Sequence, residues 1–329
     1  MAISESLNIL HATLHLASAL TLTTPPPAPQ PAQRVSVLVY LLDLVEITGA
    51  DQSFLADVFI AALWHDPALA DAGSENRSLD PDEVWHPNLV VINERAAART
   101  LPEVMNVDQY GNVQYSMRLT GRFSAPMNLA AFPLDRQTFS VWVVAPPLGG
   151  RPVALTPDTS LTDLRGAQLS VSDWTIAETH LVAKEYRATP SSEPLAGVAL
   201  VVSATRNRGY YVIQVLIPLV AIVLMAWTVF WIDPAVVATR VGVVVSTMLT
   251  LIAYRFMLGN LVPKLSYLTR LDYFMLGATS MVTLTLFVMA GTSYLARAGR
   301  GTIVERIDRV GRVAFPLVFG GYTALVWLL

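Results

Sequence analysis

The chain has 329 residues, 53% of them hydrophobic and only 14% charged, which is greasier than a soluble globular average. Its formal charge of −3, with no basic patch interleaved with aromatics, argues against a nucleic-acid partner. With no cysteine there is no disulfide framework and no thiolate metal site. Ile9 to Leu22 is a modest apolar stretch, and Ala17-Ser18-Ala19 has the small residues of a signal-peptidase site. The first basic residue is Arg34, however, so the positive n-region of a signal peptide is missing. Residues 1–33 therefore read as a weak export signal or a short surface helix, with the proline run from Pro25 to Pro31 as a stiff spacer.

Residues 34–209 alternate apolar and polar, with turn residues throughout. Strands are expected over Arg34–Glu46, Phe54–Trp64, Glu83–Asn93, Gln114–Phe123, Gln137–Val144, Gln168–Ala183 and Leu195–Arg206. Tyr110-Gly111-Asn112 reads as a hairpin turn. Short strands at this spacing, with no long helical pattern between them, predict an all-β sandwich of the immunoglobulin-like kind, lying outside the membrane.

Residues 210–329 are almost continuously apolar and predict a four-helix transmembrane bundle with spans at 211–232, 236–261, 271–295 and 313–329. Five arginines, at 297, 300, 306, 309 and 312, lie between the third and fourth spans. Basic residues gather on the cytoplasmic side. The N-terminal domain and the C-terminus are therefore expected on the periplasmic side of the cell inner membrane.

The second span differs from the other three. Ala238, Gly242, Ser246, Leu249, Ala253, Phe256 and Asn260 recur at steps of three or four, which places them on one helical face. That stripe is small and polar at its start, bulky and apolar further on, and polar again at its end. A helix facing only lipid has no use for this gradient, whereas one lining a water path does. Leu249 and Phe256 are the candidate gate, since several copies of each would form apolar rings that dewet a narrow pore. One such helix cannot enclose a conduit, so several copies must surround an axis.

Several segments resemble the prokaryotic pentameric ligand-gated ion channels, relatives of the Cys-loop receptors that lack the loop cysteines. Ala125-Pro126 through Phe132-Pro133-Leu134-Asp135-Arg136-Gln137 resembles the family's signature loop. Trp64-His65-Asp66, Trp85-His86-Pro87, Arg208-Gly209-Tyr210-Tyr211 and Val262-Pro263-Lys264-Leu265-Ser266-Tyr267 resemble further family elements, in the family's order. The resemblance implies a homopentamer in a lipid bilayer that conducts inorganic ions. It also implies a small-molecule agonist, or protons, acting at extracellular subunit interfaces. Asp135 and Arg208 are expected to pair near the membrane surface, with Asp51 beside them, and to act with Pro263 and Lys264 as coupling machinery.

Charge selection falls to Ala238, Thr239 and Arg240 at the inner mouth. Cation-selecting relatives carry a glutamate there. A unit charge at about 10 Å in water is worth roughly 0.4 kcal/mol, so a ring of five gives about 2 kcal/mol before screening. Its loss here tips the balance slightly towards anions. For the ligand, Arg118 and Arg122 could meet a carboxylate, with solvated strand charges as the plainer alternative, and Tyr186 is the aromatic of the tip segment 186–194. The histidines His65, His86 and His180 read as surface or capped groups. No catalytic or cofactor motif is present, so neither an enzyme nor a cofactor is expected. The rival function is a non-conducting, membrane-anchored ligand-binding receptor, against which the polar stripe argues.

Overall fold

The computed structural model describes residues 32–73, 75–146, 151–187, 189–190, 193–259 and 265–328. Residues 1–31, Asn260, Pro263 and Lys264, for which the sequence carried expectations, lie outside them. Eleven strands are described. They are β1 (Gln33–Thr48), β2 (Ser53–His65), β3 (Asn76–Leu79), β4 (Val90–Val91), β5 (Glu94–Arg99), β6 (Val104–Asp108), β7 (Asn112–Ser124), β8 (Arg136–Val144), β9 (Val153–Pro157), β10 (Trp174–Ala183) and β11 (Gly197–Arg206). One sheet runs β3-β6-β7-β2-β1-β9, with β5 also pairing β7, and the other runs β10-β11-β8-β4.

The period-two pattern dictates this layering. Along β7 every second residue from Val113 to Phe123 is turned inward. The inward residues of the two sheets meet in an aromatic core where Phe54 lies 5.4 Å from Phe123 and 5.5 Å from Phe139. Trp174 of the second sheet closes edge-on over Phe139.

Four helices long and apolar enough to cross a bilayer follow: α1 (Arg208–Trp231), α2 (Val237–Leu258), α3 (Arg270–Arg297) and α4 (Gly301–Leu328). In α1 the ladder widens over Val212–Leu216, just before Pro218. A proline there has no N–H to give, and a wide turn absorbs the missing bond. The sandwich core passes without a break into the outer end of the bundle, where it takes in Val215, Leu258 and Leu271.

Four sequence expectations need correction. Of Glu83–Asn93 only Val90–Val91 is strand, because the Trp85-x-Pro87 corner removes donors from the ladder. The expected Gln168–Ala183 strand begins at Trp174. The strands β3, β5 and β9 were not anticipated; β5, Glu-Arg-Ala-Ala-Ala-Arg, has no β-branched residue to announce it. The last helix starts at Gly301, not Val313, so Arg306, Arg309 and Arg312 are helical. Those arginines lowered the hydropathy of a segment whose inward face, with Val304, Asp308 and Phe315, keeps the helical period. The turn before it needs a left-handed residue, which Gly299 supplies at φ +76°.

Candidate functional site

The faces of α2 are sharply divided. Arg240, Val244, Thr247, Leu251 and Leu258 are buried against the rest of the subunit. At about 100° per residue, Ala238, Gly242, Ser246, Leu249, Ala253 and Phe256 centre roughly 180° away, and all six are exposed. Leu249 is 63% exposed and Phe256 78%. A Cβ at Gly242 would meet nothing. The hydroxyls of Thr247 and Thr250 donate to the carbonyls of Val243 and Ser246, both at 2.8 Å, so the helix satisfies them internally.

Arg240 departs from its expected role at the selectivity position. It is 3% exposed, on the face opposite the stripe, and is paired with Asp308 of α4, also 3% exposed. Its charge is therefore not presented on the stripe. Ala238 and Thr239 are exposed at the same end.

At the outer end, the partner of Asp135 is Arg206 rather than Arg208. Arg206 Nε donates to Asp135 Oδ1 at 2.8 Å and Nη2 to Oδ2 at 3.3 Å, with Asp135 1% and Arg206 6% exposed. The β11 alternation explains the choice: Val202, Ala204 and Arg206 point inward, whereas Arg208 lies beyond the strand and is exposed. The pair is fully furnished. Gln137 Nε2 donates to Asp135 at 2.7 Å, Tyr211 Oη lies 3.2 Å from Arg206, and the guanidinium sits 4.2 Å above the Trp174 ring. Asp51 is not in this cluster; it occupies the exposed β1–β2 turn, where its carbonyl accepts from Arg95 at 2.7 Å.

The sandwich reaches the bundle largely through backbone. The first N–H groups of a helix lack intrahelical acceptors. In α3 the amides of Arg270 and Leu271 donate instead to the carbonyls of Ala130 and Phe132 in the signature-like loop, at 3.0 and 3.3 Å. Thr269 and Asp272 complete a reciprocal capping box. Two unforeseen side chains add to the junction: Tyr267 Oη accepts from Leu129 N at 3.0 Å, and Gln52 Oε1 accepts from Met127 N. Gln52 belongs to no recognisable motif, and although Tyr267 closes the 262–267 element, its bond to Leu129 joins segments too remote in sequence to be foreseen.

Both candidate ligand arginines are engaged within the subunit. Arg118 Nε lies 2.9 Å from Asp57 Oδ1, and the guanidinium beside Asp57 holds that carboxyl below its usual range. Arg122 reaches Glu46 at 3.1 Å, Ser53 at 3.2 Å and Thr48 at 3.3 Å. Tyr186 meets an aromatic the sequence did not offer it, Trp142, edge-on at 6.3 Å. Lys184 Nζ lies 4.2 Å from the centre of the Trp142 ring. His86 stacks on Tyr115 at 5.7 Å, and burial pushes its pKa down. His65 is exposed, and His180 is partly buried with its Nδ1 3.6 Å from Glu178. Among the described residues no cluster of three metal-ligating side chains occurs.

The family described as the neurotransmitter-gated ion-channel ligand-binding domain matches residues 15–187, and the corresponding transmembrane region matches residues 215–300. A curated relative, a proton-gated ion channel of Gloeobacter violaceus, is 22% identical over 299 residues, covering 90% of this chain and 82% of the relative.

Proposed function

Because this chain belongs to the neurotransmitter-gated ion-channel family, as a prokaryotic pentameric ligand-gated channel, we propose that five subunits turn the α2 stripe onto a common axis. Leu249 and Phe256 then form the closed gate, and Gly242 and Ser246 the wetted inner section. The observation that carries this reading is the exposure of all six described stripe residues opposite the buried face of α2. A non-conducting anchor has no reason to expose that stripe. The boundary between extracellular and membrane parts falls at 209/210, with the sandwich and C-terminus on the periplasmic side of the inner membrane. Coupling runs from Asp135 and the Ala130 and Phe132 carbonyls into α3, and the family resemblance alone adds Asp51, Arg208, Pro263 and Lys264 to it.

For ion sign, no carboxylate stands beside Ala238 and Thr239, and Arg255 is exposed near the outer end of α2. Both facts lean towards anions. For the agonist, Lys184 already fills the cation position over Trp142, which weakens the case for an amine. Arg118 and Arg122 could take a carboxylate only by exchanging Asp57 and Glu46 for it. Protons are the alternative that the Gloeobacter relative's name suggests.

Purified protein in planar bilayers tests the reading. The expected result is current on a pH step or on ligand addition, and a leak at rest in Leu249→Ser, which wets the ring. Silence from both forms across ligands and pH would favour the non-conducting receptor. A reversal potential in a salt gradient fixes the ion sign.

A further inference from the structure

The inner end of α2 has a combination that helix physics disfavours. A helix N-terminus carries positive partial charge and prefers a carboxylate. Here the first turn has no acidic residue, Val236 provides no side-chain cap, and the nearest charged side chain of the helix is Arg240. The compensating carboxylate comes from α4, the last helix of the bundle, in the form of Asp308. Both side chains are buried, and Arg240 Nε has no hydrogen-bond partner, so Asp308 is the group that neutralises this guanidinium. The helix carrying Asp308 packs chiefly on α3 and on the inner end of α1, so the carboxylate reaches the α2 helix from behind.

We infer that Asp308 is a positioning and specificity-determining residue: it pins Arg240 behind the pore helix and cancels its charge, so that Arg240 adds nothing to the field of the inner mouth. The inference rests on the reading of α2 as the pore helix. Its chemistry is simple. A guanidinium stays protonated wherever it goes, and a long basic stem stripped of its counter-ion carries its head to the nearest water. From the first turn of α2 that water is at the cytoplasmic mouth. Five unmasked positive charges about 10 Å from the axis, screened over a Debye length of about 8 Å, would favour an anion and disfavour a cation by about 2.7-fold each, raising the anion-to-cation permeability ratio by about sevenfold. A residue on an outer helix would thereby set a property expressed on the axis.

The test is the reversal potential of reconstituted channels in a potassium chloride gradient. Asp308→Asn is expected to shift it towards chloride. Asp308→Glu keeps the charge and is expected to match wild type. The double variant Arg240→Gln/Asp308→Asn removes both charges and is also expected to return to the wild-type value. A purely structural role predicts no such return, because the double variant loses the bond as completely as the single one. An unshifted Asp308→Asn, or a double variant shifted as far as it, overturns the inference. Should Asp308→Asn fail to assemble, the swap Arg240→Asp/Asp308→Arg takes its place: a wild-type reversal potential supports the inference, and any other value or a failure to assemble overturns it. Leu249→Ser run alongside separates the two readings. If it conducts while Asp308→Asn is unshifted, only this inference falls; if it is silent, the pore reading falls and takes the inference with it.

Discussion

The two ends of the helical bundle each hold a buried arginine–aspartate pair, and the two are furnished differently. At the outer end Arg206–Asp135 sits among Gln137, Tyr211 and the rings of Phe132 and Trp174, so nearly every lone pair and proton finds a partner. At the inner end Arg240–Asp308 leaves the arginine Nε without one. Buried polar networks rigidify when complete, and a partly satisfied pair is the weaker structural element. The outer pair therefore reads as an anchor for the junction of sandwich and bundle, and the inner pair as an electrostatic mask.

The comparison can be broken by experiment. The largest effect is expected from Asp135→Asn, which strands a buried guanidinium. It should cost about 3–5 kcal/mol, read as a fall of many degrees in the melting temperature of the pentamer; a melt within a degree of wild type would end the anchor reading. Asp308→Asn should cost less stability and instead move the reversal potential. A third pair, Arg118–Asp57, is more open to water and extends the series. Asp57 has its folded pKa depressed, chiefly by the Arg118 hydrogen bond. The unfolded chain therefore binds the proton more readily, and the pair's stabilisation is present above pH about 3.8 and lost as pH falls through the lower folded value. Asp57→Asn should lower stability at neutral pH, where the pair is intact, and flatten the decline across that acid window, as followed by thermal melts from pH 7 to 3. The smallest effect belongs to His86, which has no ion pair. Burial lowers its folded pKa, so stability should decline as pH drops below about 6.5. His86→Gln should remove that decline, by less than about 1 kcal/mol for a half-buried group.

What could be read from the chain alone follows from the range of the signals. The α2 stripe and the β7 alternation are local periodicities, and both stood in the sequence. The choice of Arg206 over Arg208 was also there, in the inward phase of Val202 and Ala204, but the arginine-aromatic resemblance at 208–211 pointed elsewhere. Asp308 could not be tied to Arg240, because no period links residues 68 apart on separate helices. The Trp142–Tyr186–Lys184 group is likewise assembled across strands, and no spacing announces it. The start of α4 was hidden because arginines on the outward face of a helix look like a loop to a hydropathy window.

The bonds from Arg270 and Leu271 to the carbonyls of Ala130 and Phe132 join peptide to peptide. Almost any side chain could occupy those two donor positions without cutting the seam. Proline alone among the twenty residues would sever it, since it has no amide hydrogen to offer. Inserting a single residue into the loop would also shift every acceptor out of reach. These two bonds, unlike the buried Leu271 side chain and the Arg206–Asp135 pair beside them, are thus indifferent to composition and intolerant of a change in length.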